Sequence, residues 1–116
     1  MVRFMLGALA IGGALLLSGC TDLVTGGDLI RPGQATGLIE VVNNSGETLS
    51  AVLISDCNVG SYGLNRLPDG VTIPHGGSYA FQVSAGCWDV DAGNDGGEAR
   101  QRMDVVANGV VEYTVN

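Results

Sequence analysis

The stretch SYAFQVSAGCWDVDAGNDGG, residues 78–97, decides the fold. Residues 78–83 alternate between apolar and polar side chains, which is the pattern of a β-strand with one buried face. Residues 84–86 predict a turn, and alternation resumes over 87–92 with Trp88 as the core anchor. The predicted inward positions are Tyr79, Phe81, Val83, Trp88, Val90 and Ala92.

Turn signals then divide the rest of the chain into further short strands. Residues 94–97, Asn-Asp-Gly-Gly, predict a tight hairpin, because these residue types accept the positive φ angles that such turns need. Asn108-Gly109 predicts a second turn of the same kind, and no segment has a helical period. The predicted strands are 38–43, 48–55, 71–73, 78–83, 87–92, 99–106 and 110–115. The sequence therefore predicts an all-β fold, a small antiparallel immunoglobulin-like β-sandwich of about seven strands, with a small β-barrel as the alternative.

The start of the chain has the three parts of an export signal. Arg3 supplies the positive charge, residues 4–17 form an apolar run, and Ser18-Gly19 is a small-residue cleavage site before Cys20. Leu17-Ser18-Gly19-Cys20 resembles the lipobox of bacterial lipoproteins with a type II signal peptide. This resemblance implies cleavage after Gly19, a thioether-linked diacylglyceryl group on Cys20 and acylation of the new amino terminus.

Two alternatives to the lipoprotein are an uncleaved membrane anchor and an ordinary secreted protein. A helix over residues 4–17 would be about 21 Å long, which is short of the roughly 30 Å hydrocarbon core. An ordinary secreted protein would leave Cys20 as an odd thiol, whereas lipidation uses it and leaves an even pair. Thr21 follows Cys20, where an Asp would resemble an inner-membrane retention signal, so we expect a protein anchored to the outer membrane and facing the periplasm.

The predicted organisation is a signal peptide over 1–19, a lipidated cysteine with a flexible tether over 20–36, and a β-domain over 37–116. Gly, Asp, Thr and Pro dominate the tether, which has no strand or helix period. The formal net charge is −7, and all five basic residues are arginines. These few scattered cations argue against nucleic-acid binding. The predicted membrane contact is the bilayer, through acylated Cys20.

Cys57 and Cys87 are predicted to form a structural disulfide. An exported protein is in an oxidising compartment, and two cysteines remain after Cys20 is lipidated. They are not in a C-x-x-C arrangement, and the chain has a single histidine, so a redox pair and a metal site lack support. No cofactor is predicted.

The domain also resembles small bacterial secreted and lipoprotein domains of unassigned function, over about residues 38–93. The likeness rests on four motifs: Val42-Asn43-Asn44-Ser45-Gly46, Ile54-Ser55-Asp56-Cys57, Gly63-Leu64-Asn65-Arg66-Leu67 and Gly86-Cys87-Trp88-Asp89-Val90. These motifs are structural in type, and the resemblance implies a fold without a mechanism.

Residues 58–70 form the longest segment of the domain without a predicted strand and are the candidate binding loop. Tyr62 and Arg66 are its candidate binding residues, because Tyr and Arg are enriched in interface hot spots. A structural role, in which the loop closes one end of the domain and Arg66 pairs with an acid, is the alternative.

Catalytic and metal-binding chemistry have weaker signals. His75 is expected in an exposed turn, and no catalytic residue is predicted. Asp89, Asp91 and Asp95 are oxygen ligands near a turn, as Ca²⁺ prefers, but Gly93 and Asn94 break the EF-hand pattern. We therefore predict no metal site, with calcium at these three residues left as an alternative.

Two functions of different classes follow. The first is a non-catalytic envelope lipoprotein whose β-domain binds a protein or a cell-wall component. The second is an inhibitor of an exogenous hydrolase such as lysozyme, similar in plan to the membrane-bound lysozyme inhibitors, which are small, β-rich, disulfide-bonded and lipidated. The chain has no lysine and therefore lacks the lysine-containing loop of those inhibitors.

Overall fold

Short alternating segments build an all-β fold in the computed structural model, which describes residues 27–116. The strands are β1 (Thr36–Asn43), β2 (Ala51–Asp56), β3 (Ser78–Ser84), β4 (Gly86–Asn94), β5 (Gly97–Val105) and β6 (Val110–Val115). Asn108 has a φ of 60° in the predicted turn before β6. Among these residues no helix is long and apolar enough to cross a membrane.

The strands form two three-stranded sheets, with the orders β3-β1-β6 and β2-β4-β5. The pairs β1–β3, β2–β4 and β4–β5 are antiparallel, whereas β6 lies parallel to β1, with Leu38 opposite Val110. A parallel pair needs a crossover connection, which the intervening strands provide. The expectation of antiparallel pairing throughout is therefore wrong for β6.

Both sheets contribute buried side chains to one hydrophobic core. Trp88 is fully buried, and its indole Nε1 donates a hydrogen bond to the Ser84 carbonyl at 2.8 Å. This bond satisfies the one polar atom of the indole, so the whole side chain can be buried without an unpaired donor. Of the predicted inward positions, Phe81, Val83, Trp88, Val90 and Ala92 are buried and Tyr79 is half-buried against the core.

The number of strands differs from the expected seven, and the small sandwich of seven strands is not the observed fold. Residues 71–73 do not form a strand, because only Ile73 pairs with a neighbour, Leu49. Both backbone hydrogen bonds of this bridge form, at 2.8 and 2.9 Å, and Pro74, which has no N–H, follows at once. The alternative barrel would need one closed sheet, whereas the six strands lie in two.

β2 is an edge strand of its sheet, although apolar residues on both faces, as β2 has them, are typical of a central strand. A loop takes the place of the missing neighbour. The Arg66 N–H donates to the Val52 carbonyl at 2.7 Å, and the Val52 N–H donates to Asn65 Oδ1 at 2.9 Å. Residues 58–70 therefore cover this edge, which would otherwise present unpaired backbone groups.

Candidate functional site

The predicted lipid site lies outside the described residues. The signal peptide, the lipobox and Cys20 all precede Gly27, so they stay predictions. The predicted tether, 20–36, is described from Gly27 onward, and this part contacts the domain. The Ser84 N–H donates to the Leu29 carbonyl at 2.7 Å. The Arg31 guanidinium pairs with Asp56 and lies 4.7 Å from the centre of the Trp88 ring.

The structure confirms the predicted disulfide between Cys57 and Cys87. Their Cα atoms are 5.6 Å apart, and they are 30 positions apart in the sequence. Cys57 directly follows the last residue of β2 and Cys87 is the second residue of β4, so the bond extends the pairing of these two strands. It thereby fixes both ends of a segment that contains the candidate binding loop and β3.

Arg66 in the candidate binding loop makes contacts within the chain. Its guanidinium donates to the Ile54 carbonyl through Nε at 3.1 Å and Nη2 at 2.9 Å, and Nη2 also donates to the Gly27 carbonyl at 2.6 Å. Burial lowers the pKa of Arg66, and nearby Asp28 opposes this effect. These bonds hold the loop, β2 and residue 27 together, and a role of Arg66 in binding a partner stays a prediction.

Tyr62 connects the same loop to the outer face of the β2-β4-β5 sheet. The Arg100 guanidinium carbon lies 5.0 Å from the centre of its ring, within the range of a cation–π contact. Leu64, two residues further along, keeps 57% of its surface exposed. The loop therefore places one aromatic ring against the sheet and leaves one apolar side chain in solvent.

A row of charged residues covers that outer face, and we call it the charged face. It consists of Asp89, Asp91, Glu98, Arg100 and Arg102. The β4–β5 register places Asp91 opposite Arg100 and Asp89 opposite Arg102, and alternate residues of a strand share one face. Arg102 contacts Asp89 through two bonds of 2.8 and 3.1 Å. Arg100 Nε lies 3.3 Å from Asp91 Oδ2, and its Nη2 pairs with Glu98.

Asp91 differs from the other acids of the charged face in its burial. Only 4% of its surface is exposed, and its Oδ1 is buried without a hydrogen-bond partner among the described residues. Burial raises the pKa of Asp91, the neighbouring Glu98 carboxyl raises it further, and Arg100 lowers it. A buried carboxylate oxygen without a donor is unusual, because buried polar atoms nearly always have partners.

A cavity of about 140 Å³ lies beside Asp91, and we call it the acidic cavity. The carboxyl-bearing residues that line it are Asp91, Asp95 and Glu98, and Leu53 and Ala51 contribute to its wall. Asn94, at the start of the hairpin turn, also lines it and donates through Nδ2 to the Thr48 carbonyl at 3.0 Å. The β4–β5 hairpin therefore forms one side of the cavity.

Catalysis and metal binding, the two chemistries with weaker sequence signals, involve His75 and the aspartates of the β4–β5 hairpin. His75 is exposed, and its Nδ1 accepts a hydrogen bond from the Gly46 N–H at 3.0 Å, which links two turns. Asp89 and Asp91 are each bonded to an arginine. Within residues 27–116, no three acidic, histidine or cysteine side chains are grouped so that they could hold a metal ion.

Sequence reasoning missed Glu98 and Arg100 as members of this site. A signal for them exists, because Asp91 and Arg100 are equally far from the centre of the Asp95-Gly96 turn, as are Asp89 and Arg102. A tight hairpin pairs residues at equal distance from its turn, so the ion pairs follow from the turn position.

Comparison with protein-family models gives no match, and neither does comparison with curated protein sequences.

Proposed function

We propose that this protein is a lipid-anchored, non-catalytic lipoprotein of the bacterial cell envelope, whose β-domain binds another envelope protein or a cell-wall component. The observation that carries the proposal is the Cys57–Cys87 disulfide. A disulfide in a small β-domain is typical of exported proteins, and the lipobox-like Leu17-Ser18-Gly19-Cys20 accounts for the remaining cysteine. The location that fits Thr21 is the outer membrane, with the domain facing the periplasm.

The position of Gly27 supports a domain held close to the bilayer. If Cys20 carries the lipid, six residues separate it from Gly27, whose carbonyl accepts the hydrogen bond from Arg66. The seven Cα–Cα steps from Cys20 to Gly27 span at most about 25 Å when fully extended. The side of the domain that carries Gly27 would then lie within this distance of the membrane surface.

Mass spectrometry of the protein extracted from native membranes tests the anchor. We expect a mature chain that starts at a diacylated or triacylated Cys20, and Cys20→Ser should release the protein from the membrane fraction. Two or more acyl chains give stable anchoring, because each buried methylene contributes about 0.8 kcal/mol. A mature protein that retains Met1, or a wild-type protein found only in the soluble fraction, would contradict the proposal.

The acidic character of the domain favours one second candidate, inhibition of a basic hydrolase such as lysozyme. The net charge of −7 and the acidic cavity would attract a cationic enzyme surface. Inhibition assays against a basic muramidase separate the two functions. A saturable loss of muramidase activity supports the inhibitor, and unchanged activity leaves the envelope-binding function.

A further inference from the structure

One end of the domain brings together the disulfide and the segment that leads back toward Cys20, and we call it the disulfide end. The Ala85 N–H donates to the Ala35 carbonyl at 2.8 Å, which joins the β3–β4 turn to the start of β1. The Asn108 N–H donates to the Thr36 carbonyl at 2.8 Å, which joins the turn before β6 to the same place. The disulfide end consists of residues 27–38, 56–59, 84–87 and 105–110.

Exposed large apolar side chains collect at the disulfide end. Ile30 keeps 50% of its surface exposed, Leu38 36%, Val106 66% and Val110 61%. Leu38 and Val110 are opposite each other in the β1–β6 register. Val106 directly follows β5, in the turn that leads to β6. Four of the five exposed large apolar side chains of residues 27–116 therefore share one end of the domain.

The fifth such side chain, Leu64, lies beside β2, two residues before Arg66, whose guanidinium bonds the Gly27 carbonyl. The opposite end of the domain consists of the turns over residues 44–48, 74–77 and 94–97. Among the described residues, this opposite end has no exposed large apolar side chain. Single exposed apolar residues are ordinary, but their collection on one side marks an interaction surface.

We infer that the disulfide end docks on the surface of the lipid bilayer, with Ile30, Val106 and Val110 inserted among the lipid head groups. This inference rests on the proposed lipid anchor, because only seven Cα–Cα steps, at most about 25 Å, join Cys20 to Gly27. The anchor brings the apolar side chains to the bilayer at a high effective concentration, so a small apolar surface is enough for docking.

The charges of the disulfide end favour a bilayer without net surface charge. Arg31 pairs with Asp56, and Arg66 is bonded to backbone carbonyls near Asp28. Asp28 and Asp104 are exposed, so the acids of this end outnumber its arginines. The net charge of −7 also opposes attraction to an anionic membrane. Apolar contact must therefore provide the docking, and zwitterionic head groups are the surface that fits it.

Nuclear magnetic resonance of the acylated, isotope-labelled protein in phosphatidylcholine nanodiscs tests the docking. A fraction of the lipids carries a nitroxide on the head group, which broadens the amide signals of residues close to the bilayer. We expect strong broadening at the Ile30 and Val110 amides, and little at the Gly46 and Gly96 amides in turns of the opposite end. Replacement of part of the phosphatidylcholine by anionic phosphatidylglycerol should reduce the broadening at Val110.

Two substitutions remove apolar contacts, and a third is the matched control. Val106→Asp and Val110→Asp should each lower the ratio of docked to free domain by about tenfold, because a charge replaces an inserted apolar side chain. Thr114→Asp adds the same charge to an exposed position on the same face of β6, about 13 Å further along, and should leave the broadening unchanged. If Val110→Asp fails to fold, Val106→Asp still provides the test, because Val106 lies outside the strands.

Equal broadening at both ends of the wild-type domain would overturn the inference, because it would show a domain that moves freely on its tether. Unchanged broadening at Ile30 in both valine variants would also overturn it, since the anchor alone would then explain the proximity. Stronger broadening with phosphatidylglycerol would contradict apolar docking.

A second copy of the chain is the competing occupant of this surface. Changes at the Val110 amide in nanodiscs that hold two proteins, and none in nanodiscs that hold one, would indicate that copy and refute docking on lipid. The mass of the protein is measured separately. An acylated protein with equal broadening at both ends refutes only the docking, whereas a protein without acyl chains contradicts the proposed anchor and this inference with it.

Discussion

Removal of the Cys57–Cys87 disulfide should lower the stability of the domain by about 3.7 kcal/mol. The change is the double substitution Cys57→Ala and Cys87→Ala. The bond joins residues 30 positions apart, and the chain-entropy model gives this figure for a closed loop of about 31 residues. The folded state should persist without it, because six residue pairs connect β2 to β4 and the Cys57 N–H donates to the Cys87 carbonyl at 3.3 Å.

Unfolding in guanidinium chloride, followed by Trp88 fluorescence, measures the effect. Trp88 is the only tryptophan of the chain and is fully buried in the described core, so its emission should report the loss of that core. In thermal unfolding followed by the same signal, we expect a melting temperature lower by roughly 15–30 °C, from about 4–8 °C per kcal/mol for a domain of this size. The denaturant slope should rise, because the unfolded chain without the bond exposes more surface.

The control is Cys20→Ser, which removes a cysteine and leaves the disulfide in place. It should unfold at the same denaturant concentration as the wild-type domain. A loss below about 1 kcal/mol in the double variant, or a wild-type midpoint unaffected by reducing agent, would refute the reasoning, because either result means that the bond does not restrict the unfolded chain as the model requires.

Three further substitutions test the hairpin, the loop and the buried acid. Gly93→Ala should lower the free energy of unfolding by about 1–3 kcal/mol, because the new Cβ would lie 2.8 Å from Glu98 Cα. Gly97→Ala is the control: its new Cβ has no heavy atom within 4 Å, so the free energy of unfolding should stay within about 0.5 kcal/mol of the wild-type value. Arg66→Ala should lower the free energy of unfolding by about 1–3 kcal/mol, and with it the melting temperature, because the side-chain hydrogen bonds to the Ile54 carbonyl are lost. An unchanged melting temperature together with lost partner capture would instead favour a role of Arg66 in binding. The pKa of Asp91 is raised in the folded state, so its contribution to the free energy of unfolding depends on pH. This contribution is fully present below the pKa of Asp91 in the unfolded chain, about 4, and is lost as the pH rises through its pKa in the folded protein. Unfolding in urea between pH 4 and 7 should show this fall in the wild type and a smaller one in Asp91→Asn.

Local pattern was enough to predict the strands that alternate cleanly and the turns between them. The inward set around Phe81 and Trp88 follows from a period of two residues, which any strand with one buried face must have. The parallel pairing of β6 with β1 could not be read in this way, because it depends on which distant strands become neighbours. β2 has apolar residues on both faces, as a central strand does, but it lies at the edge of its sheet, where Asn65 of the loop rather than a strand pairs with Leu53.

The sequence is enough to predict which charged residues of the candidate site pair across the hairpin, but not which of their side chains are buried. The hairpin turn determines that Asp91 faces Arg100, because both are at the same distance from it. Whether an outward acid is exposed depends on what packs over the sheet, and that requires the position of the loop that brings Tyr62 to Arg100. Asp89 and Asp91 therefore look equivalent in the sequence, although Asp91 is the one with a buried, unpaired oxygen.

The loop over residues 58–70 connects stability and binding in this domain. Arg66 and Asn65 cover the open edge of β2, and Tyr62 holds Arg100 beside the acidic cavity. A truncation in the loop can therefore weaken partner binding without any contact to the partner, because it releases Arg100 or exposes the edge of the sheet. Substitutions at Glu98 avoid this ambiguity, since its side chain is half in solvent and lies on β5 outside the loop. Loss of binding in Glu98→Gln with an unchanged melting temperature would identify the cavity itself as the contact.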